Sequence, residues 1–386
     1  KTSIDVVNTE ESIPEIPVEE PTVTYITIGN EGARHIKGQF SLKGVTDKVK
    51  VEVDPPLIDI RKGNAVKFKI SITPYCSCTC TERLIFTAVD LKKGKLVEVP
   101  IPMSFTTKLS TKLDYDDLTF EDKLGNGTYG VVYKGILHNN VVAIKKLKLG
   151  ADDDDSLREF SLEVDMLEKM KNKYIVMFYG AVFIPNKLCL VTELARFGSA
   201  KDFMKHYNQT IISRKIQVKI LLDAARGLEY LHANGILHRD IKPDNMLVVS
   251  IEDGQPVNAK LTDFGSSRNI NMLMSNMTFT KGVGSPAFMA PEMLKIHKVK
   301  YASPADVFSL AVSFYSFMTW KISPYSSICT YPWDIADYIN GGNRLPQETI
   351  PNEMYACIGQ MWLANPEARP TAADVAKTVE QYYSTL

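Results

Sequence analysis

Four side chains in two short stretches have the types and spacing for chemistry. His238-Arg239-Asp240-Ile241-Lys242-Pro243-Asp244-Asn245 supplies a carboxylate at Asp240, a cation at Lys242 and an amide at Asn245. Asp263-Phe264-Gly265 supplies a second carboxylate past a hairpin. These are the groups needed to handle a hydroxyl nucleophile beside a metal-bound triphosphate, so the chemistry they imply is phosphoryl transfer.

A second set of residues is suited to phosphate. Leu124-Gly125-Asn126-Gly127-Thr128-Tyr129-Gly130-Val131-Val132 contains a GxGxxG. Alone this is a weak signal, because any tight hairpin can use glycines and dinucleotide folds share the spacing. The residues that follow decide the reading. Val131-Val132-Tyr133 and Val141-Val142-Ala143-Ile144-Lys145 are β-branched runs around Asn139-Asn140. The glycines therefore lie in a hairpin, and no helix opens directly after them as a Rossmann fingerprint requires. Glycines let backbone come down over phosphates, and Lys145 adds a point charge.

Elements must hold these groups in place. After Asp152-Asp153-Asp154-Asp155, read as a solvated loop, Ser156 and Glu159 form a capping box for a helix whose apolar face is Phe160, Val164 and Leu167. Glu163 falls on that face and needs a cationic partner, for which Lys145 is the candidate; the alternative is a Glu at the stripe's edge reaching solvent. Leu188 to Ala195 reads as a buried strand running into a linker at Gly198-Ser199. Helical spacing at Ile216, Ile220, Ala224, Leu228 and Leu231, stopped by Asn234-Gly235, delivers the chain into the Asp240 loop on a buried helix. Ser303-Pro304-Ala305-Asp306 reads as an N-cap, a first-turn Pro and an acidic residue opening an apolar run through Phe317.

The N-terminal third has a different pattern. Residues 1–20 carry five Glu with Pro14 and Pro17, have little to bury and read as an extended arm. From Pro21 to about Leu113, runs such as Val49-Lys50-Val51-Glu52-Val53 and Val66 to Ile72 alternate apolar and polar residues, with turn signals at Gly29-Asn30, Gly44, Asp54-Pro55-Pro56, Gly63-Asn64, Pro74 and Gly94. That pattern predicts half-buried strands in an antiparallel sandwich. Cys76, Cys78 and Cys80 would share one face of a strand, as a soft-metal site or as small residues packed at a strand end; no CxxC pair or nearby His cluster completes a metal site.

At 386 residues the chain exceeds what one core normally fills, so two or three folding units are expected. With 45 basic and 45 acidic residues there is no basic footprint for nucleic acid. There is no apolar run of membrane-spanning length and no signal-peptide pattern. The first residue is Lys1, which fits an excised fragment and leaves an upstream membrane segment open. Six scattered cysteines suit a reducing compartment. The location expected is cytoplasmic, or the cytoplasmic part of a longer membrane-attached protein.

From about Leu118 to Tyr382 the chain resembles the eukaryotic protein kinases, with that family's landmarks in order. Gly284 to Glu292, Tyr331-Pro332-Trp333 and Asn365 to Pro370 are most similar to the tyrosine-kinase-like group, whose members mostly phosphorylate Ser and Thr. The stretch from Asp54-Pro55-Pro56 through Gly63-Asn64 to Thr73-Pro74 resembles the immunoglobulin-like sandwich of the major sperm protein family; a generic sandwich that spaces or docks the next domain is the alternative. The expected fold is thus multidomain, an all-β immunoglobulin-like sandwich followed by an α+β bilobal protein kinase fold. The expected divisions are an arm at 1–20, sandwich at 21–113, kinase N-lobe at 114–195 and C-lobe at 196–386.

The kinase resemblance implies ATP and Mg2+ as cofactors, and a role for each residue. Asp240 is the base, Lys242 meets the γ-phosphate, Lys145 held by Glu163 positions the α- and β-phosphates, and Asn245 with Asp263 binds Mg2+. Leu124, Gly125, Gly127 and Gly130 cover the nucleotide, and Val132, Ala143 and Leu247 sandwich the adenine, though as apolar residues they suit plain core equally. The backbone of Glu193 and Ala195 bonds the adenine edge, with Thr192 guarding the pocket behind. Asp306 ties down the catalytic-loop backbone besides any capping role. Glu292 pairs with Arg369, and Leu167, Phe178, His238 and Phe264 stack as the family's apolar spine. Arg239, which Arg268 could join, would receive a phosphate from Ser275, Thr278 or Thr280; the alternative is that Arg239 binds backbone and the segment is active unmodified. Departures from the family pattern, Ser309-Leu310-Ala311 for Ser-Phe-Gly and Ala200 for a common Leu, fall at packing positions.

The function expected is Ser/Thr phosphorylation of protein substrates, with Lys242 favouring Ser/Thr and tyrosine or dual specificity as the runner-up. A pseudokinase scaffold is the rival of another class, against which Lys145, Asp240, Asn245 and Asp263 are all present. A further rival makes the sandwich the working domain and the kinase constitutively on. The sandwich is expected to bind a protein partner or dock on the kinase.

Overall fold

The structure, a computed structural model, describes residues 4–8, 15–42, 46–90, 92–127, 130–147, 154–184, 186–264, 267–269, 286–294 and 301–386. It divides into two compact units: Lys1–Asp153 with Tyr179–Val191, and Asp154–Phe178 with Thr192–Leu386.

In the first unit, strands β1 (Ile4–Asn8), β2 (Glu15–Ile16), β3 (Thr22–Asn30), β4 (Ile36–Ser41), β5 (Val49–Asp54), β6 (Leu57–Ile60), β7 (Ala65–Pro74), β8 (Thr79–Asp90) and β9 (Leu96–Thr107) build two sheets. Their orders are β1-β3-β7-β5 and β2-β9-β8-β4-β6. Alternation fixes what each sheet buries: Phe68, Ile70 and Ile72 of β7 point inward between the exposed Lys67 and Lys69 and the half-buried Ser71. Both sheets contribute to one core, with Ile28, Val51 and Phe68 from the first and Ile36, Phe40, Phe86 and Phe105 from the second. The Phe68 ring lies edge-on to Phe40 at 5.1 Å and Phe86 at 5.8 Å.

Residues 4–8 and 15–16, expected as part of an extended arm, are instead strands of this sandwich. β1 pairs antiparallel with β3, β2 pairs parallel with β9, and Ile16 is 1% exposed in the core. The glutamates and prolines of the whole stretch argued against burial and hid the β-branched Ile4, Val6, Val7 and Ile16, which suit strands. Beyond β2's two pairs, β9 shows no outer partner among the described residues, and Pro100 and Pro102 sit on that edge, opposite Ile85 and Arg83 of β8. Lacking N–H groups, they blunt an edge that would otherwise recruit further strands.

Cys76 and Cys78 lie in the bend after β7, and only Cys80 is in a strand. They do not share a face: Cys80 packs in the sandwich core, while Cys76 is fully buried in a second cluster. Among the described residues no group of three His, Cys, Asp or Glu is placed to hold a metal. The Cys76 and Cys78 thiols remain within hydrogen-bonding reach of each other at the second cluster, and the bend sets Cys80 apart from both.

The second cluster belongs to a five-stranded sheet, β10 (Leu118–Gly127), β11 (Gly130–Leu137), β12 (Asn140–Leu147), β13 (Phe178–Val182) and β14 (Cys189–Glu193), in the order β10-β11-β12-β14-β13. β11 and β12 join through His138 and Asn139, both at positive φ, as a tight hairpin turn demands. Segment 111–113 runs along the β13 edge: Ala181 N–H donates to Thr111 O and Leu113 N–H to Ala181 O, each at 2.8 Å. Gly180 permits this approach, because a Cβ there would stand 2.4 Å from Thr111 O.

The second unit holds α1 (Asp154–Lys169), α2 (Ala200–His206), α3 (Arg214–Ala233), β15 (Ile236–Leu237), β16 (Met246–Val248), β17 (Ala259–Leu261), β18 (Arg268–Asn269), α4 (Pro291–Leu294), α5 (Ser303–Thr319), α6 (Pro332–Asn340), α7 (Asn352–Met361) and α8 (Ala372–Tyr383). β15 pairs with β18 and β16 with β17. α5 is buried from Ala305 to Met318, as expected of a helix apolar on all sides. It starts one residue earlier than its sequence suggests. Ala302, with extended backbone and no side-chain cap bond, is the N-cap, and Ser303 is the first helical residue. No helix among the described residues is long and apolar enough to cross a membrane.

Candidate active site

α3 begins under Ser213, whose hydroxyl accepts the Ile216 N–H, and ends at Asn234 followed by Gly235 at φ +68°. Short β15 then leads into the loop. Its entry is fixed by Asp306 of α5, which is fully buried and accepts the backbone N–H of His238 at 2.9 Å and of Arg239 at 2.8 Å. The same carboxylate receives the Tyr301 hydroxyl at 2.7 Å and lies 3.0 Å from His232 Nε2. Burial alone would raise its pKa, but the His232 and Tyr301 bonds and the neighbouring charges hold it below the ordinary carboxylate range. Asp306 therefore works as an anion pinning the loop. Arg239 turns through φ +68°, a strained conformation for a non-glycine residue that this pinning sustains.

Past that turn, Asp240, Lys242 and Asn245 come together. Asp240 Oδ2 accepts from Lys242 Nζ at 2.6 Å and Asn245 Nδ2 at 3.0 Å, and Nδ2 also donates to Asp240 O at 2.8 Å. Asp240 and Lys242 each keep about a seventh of their side-chain surface exposed, so a reactant can reach both. With its nitrogen committed to Asp240, Asn245 has its amide oxygen available in another direction.

The β16–β17 hairpin connects this loop to Asp263. Asn245 immediately precedes β16, Thr262 follows β17, and Thr262 N–H donates to Asn245 O at 3.0 Å. Asp263 then adopts φ +62°, again in the left-handed region. Amide and carboxylate oxygens on adjoining segments form a hard donor set suited to Mg2+ beside phosphate oxygens. The hairpin is fixed by residues that sequence reasoning missed. Asp223 of α3 accepts Asn258 N–H at 2.6 Å and Ala259 N–H at 3.2 Å, and Lys219 bonds it at 2.6 Å. Burial pushes the Asp223 carboxyl up while Lys219 and the two N–H groups oppose. The available signal was a Lys and an Asp four apart enclosing Ile220, Leu221 and Leu222, which puts both charges on a buried helix. Lys260 of β17 was also missed; it bonds the Glu193 carboxylate at 2.5 Å.

In this unit Glu163 is 8% exposed on the α1 face formed by Phe160, Val164 and Leu167. Thr192 is buried at 9% and Leu247 is half-buried. Glu193 N–H donates to Met177 O at 2.9 Å, and Ala195 O accepts from Gly198 N–H at 3.2 Å. His238 and Phe264 are buried with ring centroids 5.3 Å apart; Leu167 is buried and Phe178 half-buried. Arg369 chelates Glu292 through two 2.7 Å bonds and also donates to Leu363 O and Pro304 O.

The first unit carries the other candidates. Leu124 is exposed, Gly125 and Gly127 lie in β10, and Gly130 opens β11, with Val132 half-buried. A Cβ on Gly125 would have nothing within 4 Å, so its backbone is open to a ligand. Gly130 is glycine for another reason, since a Cβ there would stand 2.2 Å from Lys146 O. Ala143 and Lys145 are half-buried on one face of β12, opposite the buried Val142 and Ile144. Lys145 thus lies in the first unit and Glu163 in the second. Thr128, Tyr129, Gly265, Ser275, Thr278 and Thr280 lie outside the described residues, as do the side chains of Ser156, Glu159 and Arg268.

A family model described as "Protein kinase domain" matches residues 118–379. Among curated proteins, the chain is 33% identical over 321 residues to probable serine/threonine-protein kinase gdt9 of Dictyostelium discoideum, covering 76% of this chain and 20% of that protein. It is 33% identical over 272 residues to dual specificity protein kinase shkB of the same organism, covering 69% and 40%. It is 32% identical over 307 residues to serine/threonine-protein kinase STY17 of Arabidopsis thaliana, covering 79% and 51%. The chain spans a fifth to about half of the length of these relatives.

Proposed function

The chain belongs to the protein kinase domain family, and from that premise we propose that it transfers the γ-phosphate of ATP to Ser and Thr hydroxyls of protein substrates. The observation that carries this reading is the Lys242–Asp240–Asn245 triangle, with Lys242 2.6 Å from Asp240. Asp240 orients the substrate hydroxyl and takes its proton. Lys242, beside it, offsets negative charge as it develops on the transferred group. Asn245 and Asp263 hold Mg2+, which when bound neutralises phosphate charge and draws the phosphates into line. Lys145 positions the α- and β-phosphates. Gly125, Gly127 and Gly130 lay backbone over them, with Leu124, Val132, Ala143 and Leu247 against the adenine. Glu193 and Ala195 bond its edge, and Thr192 lines the pocket behind.

Lys242 supports Ser/Thr over Tyr, as do the names of two of the three relatives; the third, called dual specificity, supports the second reading. We assign the chain to the tyrosine-kinase-like group, its N-terminal strands to a major-sperm-protein-type sandwich, and the divisions to 21–113, 114–195 and 196–386. ATP use and six free cysteines support a cytoplasmic setting. The test is incubation of the purified chain with labelled ATP and a peptide library. Phosphoserine and phosphothreonine are expected. Phosphotyrosine alone would overturn the specificity, and no transfer at all would favour the scaffold reading.

A further inference from the structure

On β12, residues 142, 144 and 146 share the face opposite Ala143 and Lys145. Val142 and Ile144 are engaged by the sandwich side of the first unit, and Lys146 by the turn that follows it. Val142 and Ile144, both 0% exposed, share a cluster with Cys76 from the bend after β7 and with Leu113 from the segment leaving the sandwich. Lys146 Nζ lies 3.2 Å from the Tyr115 hydroxyl, just past that segment.

A ladder of bonds fixes this covering. Ser77 N–H donates to Lys112 O at 2.8 Å, and segment 111–113 in turn pairs with Ala181 on the β13 edge. The sandwich bend is thereby hydrogen-bonded through one intervening strand to the five-stranded sheet. Ion pairs lock the ladder from outside. Lys48, one residue before β5, lies 2.6 Å from both Asp114 and Asp116, with only 19% of its side chain exposed. Asp47 lies 2.7 Å from Lys187 in the β13–β14 turn. A domain tethered by a flexible linker needs none of these contacts.

We propose that the sandwich is a positioning domain for Lys145: by filling the back of β12 it holds that strand against drift, and Lys48 is the positioning residue that keeps the covering closed. This rests on the reading of Lys145 as the phosphate-positioning group. β12 can shift only if Val142 and Ile144 leave their packed partners, so a closed joint fixes the lysine and a loosened one frees it. Whatever binds the sandwich near the bend or near Lys48 would then reach nucleotide handling without touching the nucleotide.

The test uses the full chain, its Lys48→Ala variant and its Lys48→Arg variant, which keeps the charge. Amide exchange is followed in 111–114 and in 141–147, with KM for ATP and kcat measured in parallel. Lys48→Ala is expected to speed exchange in both segments and raise KM for ATP about three- to tenfold, with kcat changed by less than about twofold; Lys48→Arg is expected to restore both. If Lys48→Ala does not fold, Gly180→Ala, which crowds Thr111 and Leu113 from the other side, is read the same way. Exchange in 141–147 that stays at the parental rate while 111–114 opens overturns the proposal, as does an unchanged KM alongside faster exchange. A parent chain with no phosphotransfer overturns the kinase reading instead, and faster exchange in both segments would still support the joint.

Discussion

Asp223, in the middle of a buried helix, accepts the backbone N–H of Asn258 at 2.6 Å, although the two are 35 residues apart. That bond ties α3 to the far end of the β16–β17 hairpin, whose near end carries Asn245 and leads into Asp263. Asp223→Ala leaves the Lys219 ammonium buried without its carboxylate and two backbone donors without an acceptor. A loss of about 3–5 kcal/mol in unfolding free energy is expected, measured by urea denaturation. At permissive temperature the concentration of Mg2+ giving half-maximal activity should rise, because both proposed metal donors hang from this hairpin. A stability loss under about 1 kcal/mol would show that the pin is dispensable.

Asp240→Asn keeps the size of the side chain and removes its capacity to take a proton. Turnover is expected to fall by about 10²–10⁴ with ATP affinity little changed. Steady-state kinetics with nucleotide titration checks both halves. Near-parental turnover would remove Asp240 from the role of base.

What could be read in advance follows from how local each signal is. Asp240, Lys242 and Asn245 lie within six residues, and their mutual bonds are local, so chemistry and geometry were visible together. The sandwich strands were legible because alternation records which face is buried, as β7 shows. The pairing of residues 4–8 with β3 was passed over although Ile4, Val6 and Val7 are β-branched, because five Glu and two Pro across 1–20 outweighed so short a run. Cys76 was misplaced for a different reason. Spacing of two predicts a shared strand face only if the chain runs straight, and it bends after Pro74. The docking of 111–113 on β13 left one trace, Gly180, but nothing in the sequence says which backbone a glycine makes room for.

Arg369 is fully buried and spends its guanidinium on both oxygens of Glu292 and on two carbonyls. Arg369→Lys keeps the charge but cannot reproduce a planar fork, so about 2–3 kcal/mol of stability should be lost. Thermal unfolding checks it. A melting temperature within a degree or so of the parent's would mean that a point charge suffices.

The Lys48 joint should show a window in pH. Burial alone would lower the Lys48 pKa, but its bonds to Asp114 and Asp116 outweigh this and raise it above 10.5. A group raised in the folded state contributes stability that is complete below its unfolded pKa and is lost as pH climbs through the folded one. Asp116 goes the other way: its bond to Lys48 holds it below 3.8, so its contribution is complete above that value and lost as pH falls through the folded pKa. The stability difference between the parent and Lys48→Ala is therefore expected to be flat at about 2 kcal/mol from about pH 5 to 9 and to shrink on both sides. Asp116 is mostly exposed, so the acid limb should be the shallower one and should weaken further in high salt. Urea denaturation of both proteins across that range measures the difference directly. A difference that stays constant to below about pH 3.5 would mean that Lys48 stabilises the chain through packing of its stem and that the ion pairs contribute nothing.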